Sequence, residues 1–155
     1  RMTKAFESGG WLNVNNRGGE LTVSGLRIGF IGLDDAHDGK DDVASIPAQV
    51  SSQTAIDLRI AVTHAPYLRL IELFTEAGAS VIFAGHTHGG QVCLPDNRAL
   101  VTNCDLPARY ARGLSAWSFG GKSAILNVCA GLGTSIFAPV RLFCRPEVRL
   151  VTLLP

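Results

Sequence analysis

The stretch that decides the fold is residues 58–90, LRIAVTHAPYLRLIELFTEAGASVIFAGHTHGG. It begins with five residues, 58–62, whose apolar, β-branched character predicts a buried strand. Residues 67–78 predict a helix, because Leu70, Ile71 and Phe74 recur at helical spacing and Gly78 suits a helix C-cap. Residues 80–84 predict a second strand. A strand, a helix and a strand in this order indicate a right-handed βαβ unit with parallel strands.

Three of the four histidines directly follow the two strands of this unit. His64 follows the first strand, and His86 and His88 follow the second. Ligands of open α/β sheets bind beyond the carboxyl ends of the strands, and neutral imidazole is the commonest metal-ligating side chain. The pattern therefore predicts a metal centre with His64, His86 and His88 as candidate ligands. The glycines around the pair, which leave room for close approach, are Gly85, Gly89 and Gly90.

Composition limits the class of protein. The 155 residues suffice for one domain, and a net charge of +1 argues against a broad basic surface for nucleic acid. The mean hydropathy of +0.22 predicts some apolar surface that another segment or chain covers. The longest apolar runs fall short of the roughly 20 residues that a membrane helix needs. The four cysteines form no C-x-x-C pair, so we interpret them as reduced, packed thiols and expect a cytoplasmic location.

The remaining elements are less strongly patterned. Residues 20–23 and 26–33 predict a hairpin whose second strand, apolar on both faces, is central in the sheet. We expect a short helix at 48–56, strands at 123–129 and 147–154, and turns around one short strand at 7–19. The result is an α/β fold.

Three segments resemble the calcineurin-like metallophosphoesterases, in their bacterial GHTHGGQ branch. They are AGHTHGGQ at 84–91, THAP at 63–66 and the closing stretch 131–153, so the resemblance extends over almost the whole chain. It implies a four-layer α/β/β/α sandwich with two divalent ions (Mn, Fe, Zn or Mg). His64 and His86 would hold one ion and His88 the other, and a metal-activated water would hydrolyse a small-molecule or lipid phosphoester.

The family also has three earlier blocks, D-x-H, G-D and G-N-H-[DE], and the last of these occurs nowhere here. The resemblance therefore implies that residues 1–155 form one domain corresponding to the C-terminal half, with no catalytic acid identifiable. The unusual start Arg1-Met2 fits a fragment. Relatives of this branch often carry an N-terminal membrane segment, so membrane association through a missing segment is the alternative to a simple cytoplasmic location.

Two other functional hypotheses stay open. In the first, the chain is a non-catalytic C-terminal fragment that needs an N-terminal half or a partner chain, or self-associates through an exposed sheet edge. In the second, it is a structural zinc module, with a fourth ligand from Cys93 or His37.

Two polar groups receive simpler interpretations. Asp35 and His37 form a D-x-H, but only 26 residues separate His37 from His64, too few for the intervening blocks. We interpret this D-x-H as a chance match in a solvated acidic loop, and its role in metal binding stays open. We also expect solvated or salt-bridged side chains rather than phosphate ligands at four arginines, which are Arg109, Arg112, Arg141 and Arg145.

Overall fold

The computed structural model describes residues 2–154, so Arg1 lies outside the described residues. Its helices and strands, in chain order, are α1 Met2–Ser8, β1 Gly19–Val23, β2 Leu26–Gly32, α2 Ile46–Ser51, β3 Leu58–Val62, α3 Leu68–Glu76, β4 Val81–Ala84, β5 Gly113–Phe119 and β6 Lys122–Val128. Short 3-10 turns occur at Val43–Ser45, His88–Gly90 and Ala108–Tyr110. Within residues 2–154, every helix is too short or too polar to cross a bilayer.

The strands form one six-stranded sheet in the order β1-β2-β3-β4-β6-β5. The central strands β2, β3, β4 and β6 are parallel, and an antiparallel hairpin partner flanks them at each edge. The β3–α3–β4 unit is parallel, with Ile60 aligned on Val81, which confirms the predicted βαβ unit. The hairpin β1–β2 and the interior position of β2 are confirmed as well.

One face of the sheet, the covered face, packs against α2 and α3. Its fully buried side chains include Ile31, Ile82 and Leu126, which share one core with Leu70, Ile71 and Phe74 of α3. Burial of a side chain of this size contributes about 1.5–3 kcal/mol. The apolar residues at helical spacing in the sequence therefore form the face of α3 that packs against the sheet.

The other face, called the open face, carries Val81, Phe83, Ile125 and Asn127. Residue 14 lies against Gly32 at one side of this face. In β6 and β5, Ile125 is 44% exposed and Leu114 60% exposed. A mixed sheet with helices on one face is an α/β fold, whereas the four-layer sandwich stays a prediction.

Three segments differ from expectation. Residues 147–154 form no strand; Glu147 instead binds the 130–131 turn through its backbone N–H and its carboxylate, which leaves Leu150 exposed. Residues 7–19 contain the end of α1 and irregular chain, and the first strand begins only at Gly19. The strand β5 was not predicted, because its sequence GLSAWSF mixes small and polar residues, although the Gly120-Gly121 pair that follows is a hairpin-turn signature.

Candidate functional site

His64 and His86 meet at the carboxyl edge of the sheet. Their backbones follow the adjacent strands β3 and β4, and the N–H of Gly85 donates to the carbonyl of His64 at 2.9 Å. His64 Nε2 and His86 Nδ1 lie 3.3 Å apart, and the two rings are almost perpendicular, with centroids 5.1 Å apart. The parallel pairing of two neighbouring strands is what brings these side chains together.

Asp35 and His37 reach the same place. Asp35 Oδ2 lies 3.8 Å from His64 Nε2, and the rings of His37 and His86 have centroids 4.4 Å apart. His37 Nδ1 also contacts the Tyr67 hydroxyl at 3.0 Å. Since β2 is parallel to β3, the loop after β2 emerges at the same edge of the sheet as His64. The sequence indicated only that β2 is a central strand and not which strand pairs with it, so it did not place Asp35 and His37 beside His64.

The acidic loop that carries Asp35 and His37 is anchored to the rest of the chain, whereas from the sequence we expected it to be solvated. Arg69 of α3 donates to both carboxylate oxygens of Asp41, whose side chain is 5% exposed. This guanidinium holds the pKa of the Asp41 carboxyl below its usual value. Asp42 accepts the backbone N–H of Ala44. The expectation of a uniformly solvated acidic loop was therefore wrong at Asp41, because Arg69 supplies its counter-charge.

His88 belongs to a different set of contacts. Its Nδ1 lies 3.2 Å from the carbonyl oxygen of Gly133, in a loop 45 residues further along the chain. Its own carbonyl accepts a hydrogen bond from Arg141. The structure thus pairs His64 with His86 and holds His88 through the C-terminal third of the chain.

The backbone around the two histidines is strained. His86, His88 and Gln91 have φ values of +65°, +49° and +53°, a left-handed region that costs an L-residue about 1–2 kcal/mol. Gly89 and Gly90 also have positive φ, and an added Cβ on Gly89 would lie 2.8 Å from the Ala130 Cβ. These glycines therefore make room for neighbouring protein rather than for a ligand. Such strain tends to concentrate at functional sites.

Hydrogen bonds select which ring nitrogen each histidine presents. Burial lowers the pKa of His86, which keeps its imidazole neutral at physiological pH. His86 Nε2 lies 3.1 Å from the carbonyl of Asn103. The Asn103 side-chain amide nitrogen is more distant, at 3.5 Å. Because the nearer carbonyl only accepts, Nε2 carries the proton and Nδ1 keeps its lone pair on the side of His64. The same hydrogen-bond argument applies to a neutral His88, whose Nδ1 lies against the Gly133 carbonyl. Its proton is therefore on Nδ1, and Nε2 is free.

The fit of these residues to a metal ion is partial. Two nitrogens bound to one ion at about 2.1 Å lie roughly 3.4 Å apart in tetrahedral geometry, which matches the 3.3 Å between His64 Nε2 and His86 Nδ1. Across residues 2–154, however, no group of three or more His, Cys, Asp and Glu side chains is arranged to hold a metal ion. The described residues thus place two imidazole nitrogens at a spacing that one metal ion could bridge, without a third such side chain arranged beside them.

Cys93, one suggested fourth zinc ligand, lies elsewhere. It is buried in a small core with Cys144, Ala99 and Ala111. All four cysteines are free thiols. The location of Cys93 agrees with a packing role, and burial raises the pKa of its thiol.

A cavity of about 630 Å³ adjoins the histidines. Its lining includes His37, His86 and His88 together with apolar side chains from two loops, Val101, Ile136 and Phe137. This volume suits a small molecule or a headgroup. In this cavity His88 shares a common space with His37 and His86, whereas His64 is not part of its lining.

Comparison with known proteins gives limited information. No protein-family model matches the chain. The chain is 24% identical over 157 residues to the uncharacterized protein YpbG of Bacillus subtilis (strain 168), a match that includes 99% of this chain and 52% of that protein. The chain thus spans about half the length of this curated relative.

Among solved structures, the chain is similar to the NAD nucleotidase NadN of Haemophilus influenzae. The TM-score is 0.46 at 21% identity, over 70% of this chain and 24% of that one. A partial likeness at this level assigns neither a fold family nor an activity.

Proposed function

We propose that this chain carries part of the active site of a metal-dependent phosphoester hydrolase. His64 and His86 hold one divalent ion, and His88 contributes to a second. The observation that carries the proposal is the 3.3 Å spacing of two imidazole nitrogens at the carboxyl edge of parallel strands. The resemblance of AGHTHGGQ to the metal-binding block of the calcineurin-like metallophosphoesterases supports the same assignment.

The ions, drawn from Mn, Fe, Zn or Mg, would supply Lewis-acid polarisation of the phosphoryl oxygens and a water of lowered pKa. Several side chains of this chain favour binding of such ions. Partial burial lowers the pKa of His86, and the Asn103 carbonyl orients its ring. The Asp35 carboxylate, 3.8 Å from His64 Nε2, adds a negative charge that favours a cation at the pair.

The substrate that the cavity suits is a small-molecule or lipid phosphoester. His37, His86 and His88 are among the residues that line it, and a phosphate would bind beside them. Ile136 and Phe137 contribute apolar surface to the cavity, and both side chains are largely exposed. A phosphoester with an apolar group would bury that surface, so we expect bis-p-nitrophenyl phosphate to be a usable test substrate.

The first experiment is metal stoichiometry. Purified protein is loaded with Mn²⁺, desalted and analysed for bound metal by plasma mass spectrometry. We expect about one ion per chain from the paired nitrogens, and we expect its loss in His64→Ala and in His86→Ala. Asp57→Asn, at an exposed carboxylate that binds the Arg27 backbone N–H, is the matched control and should retain the ion. Retention of Mn²⁺ in both histidine variants would contradict the proposal.

Activity gives the second test. In the intact protein, His86→Ala and His88→Ala should each lower Mn²⁺-dependent hydrolysis of bis-p-nitrophenyl phosphate by at least about 100-fold, as expected when a metal ligand is lost. The measurement is the initial rate with and without added Mn²⁺. Full activity in either variant would remove that histidine from the site.

The open face of the sheet favours a second candidate function. In this proposal the chain is an incomplete module that is inactive alone, and an N-terminal half of the same polypeptide packs on the open face and completes the ligand set. The exposed side chains of Ile125 and Leu114 support it, since apolar surface of this kind is normally covered. Sedimentation velocity should show self-association of the chain alone and a monomer when the upstream coding region is included. A monomeric, fully active chain would exclude this candidate.

A further inference from the structure

Arg141 makes an unusual set of contacts. Its guanidinium donates to four backbone carbonyls and to no carboxylate among the described residues. The acceptors and their shortest distances are His88 at 3.0 Å, Ala130 at 2.8 Å, Gly131 at 3.1 Å and Gly133 at 2.5 Å. The interpretation of Arg141 as a solvated or salt-bridged side chain was therefore wrong. Three of the four carbonyls lie in the 130–133 loop and the fourth belongs to His88, and the sequence does not indicate that this loop and His88 both lie beside Arg141.

These contacts also leave Arg141 unsuited to bind substrate. A guanidinium has five N–H donors. Nε donates to Gly133, Nη2 lies within reach of three carbonyls, and Nη1 donates to His88 and lies 3.6 Å from Cys144 Sγ. With its donors directed at the protein itself, Arg141 is a structural cross-link between the His88 turn and the 130–133 loop.

The carbonyl of Gly133 connects Arg141 to the ring of His88. The same oxygen accepts from the Arg141 guanidinium and lies 3.2 Å from His88 Nδ1. An oxygen fixed by a cation can receive only an N–H from the ring, so Nδ1 must carry the proton. In metal sites, the hydrogen bond at one ring nitrogen decides which nitrogen is free to ligate, and the partner group fixes the orientation of the ring.

We propose that Arg141 is a positioning residue that sets the tautomer and orientation of His88 by holding the carbonyls of Gly133 and His88. This leaves His88 Nε2 unprotonated. The tautomer is a property of this chain without metal; only the statement that Nε2 then ligates an ion rests on the proposed function.

Arg112 offers a matched control. It is half-buried like Arg141, and it also contacts the Cys144 sulfur, at 3.9 Å. In the described part of the chain it makes none of the carbonyl contacts that hold Gly133. Replacement of Arg112 by methionine therefore removes a guanidinium from the same neighbourhood and leaves the contacts of the His88 ring in place.

The test is long-range ¹H–¹⁵N correlation of the histidine rings in metal-free, ¹⁵N-histidine-labelled protein, at about pH 8.5 where imidazole is neutral. His88→Asn assigns the His88 signals. The wild type should show the Nδ1–H tautomer at His88, Arg141→Met should shift it mainly to Nε2–H, and Arg112→Met should leave it unchanged. Arg141→Lys should be intermediate, because one ammonium can hold fewer carbonyls than a guanidinium.

Two outcomes would overturn the proposal. One is the Nε2–H tautomer at His88 of the wild type. This measurement does not depend on whether any variant folds. The other is an unchanged Nδ1–H tautomer in a folded Arg141→Met protein. A separate measurement concerns the metal: in a protein that binds the second ion, we expect Arg141→Met to weaken binding of that ion at His88 by about 10–100-fold. If the wild type binds no ion while the tautomers behave as expected, the proposed function fails and the role of Arg141 stands.

Discussion

The two faces of the sheet are both apolar, yet they differ in what covers them. Leu126 on the covered face is fully buried under the helices, whereas its neighbour Ile125 in the same strand faces the other way and remains 44% exposed. The open face is covered unevenly, because Val81 of β4 is 9% exposed whereas Ile125, its partner in β6, is 44% exposed. A strand that is apolar on both sides is therefore suited to burial on both sides, but its sequence does not indicate that this chain covers both sides completely.

The largest expected effect tests the covered face. Leu126→Ala removes a side chain that is fully enclosed by the core, so we expect the free energy of unfolding to fall by about 2–5 kcal/mol. Urea denaturation followed by circular dichroism measures the change. A loss below about 1 kcal/mol would mean that the core of the covered face is loosely packed, and the contrast between the faces would disappear.

An intermediate effect of opposite sign is expected on the open face. The Oδ1 atom of Asn127 is buried without a hydrogen-bond partner among residues 2–154, and a buried unpaired polar atom costs about 1–3 kcal/mol. Asn127→Val removes this atom and introduces the β-branched shape that strands favour, so we expect stability to rise by about 1 kcal/mol in the same urea assay. A destabilised variant would show that Asn127 has a polar partner on that face in solution.

The sequence predicted the regular part of the fold because the periodicities there are strong. In 58–84, helical spacing at Leu70, Ile71 and Phe74 and compact apolar strands on either side leave little ambiguity. The prediction of a strand at 147–154 was wrong, because alternating apolar residues favour a strand only where a neighbouring edge pairs with them. In the described chain Glu147 ties this segment to the turn at Gly131 instead.

The candidate site was predictable only where strand ends decide it. The proximity of His64 and His86 follows from a parallel βαβ unit, and the structure has it. The position of Asp35 depends on β2 being the parallel neighbour of β3, which spacing along the chain does not reveal. The contact of His88 with Gly133 joins residues 45 positions apart through an irregular loop, and no local pattern in the sequence indicates it.

The smallest expected effect makes the sharpest comparison of the two faces. Ile125→Thr replaces one β-branched side chain on the open face by another that is less apolar. Because Ile125 is already 44% exposed, we expect stability to change by about 0.5 kcal/mol or less. Measured in the chain alone, this value can be set beside that of Leu126→Ala, at the neighbouring and fully buried position of the same strand. The same variant in a protein that includes the upstream region should cost more, about 1–3 kcal/mol, if a second layer covers Ile125 there. An equally small effect in the longer protein would mean that the open face stays open, and the incomplete-module proposal would lose its main support.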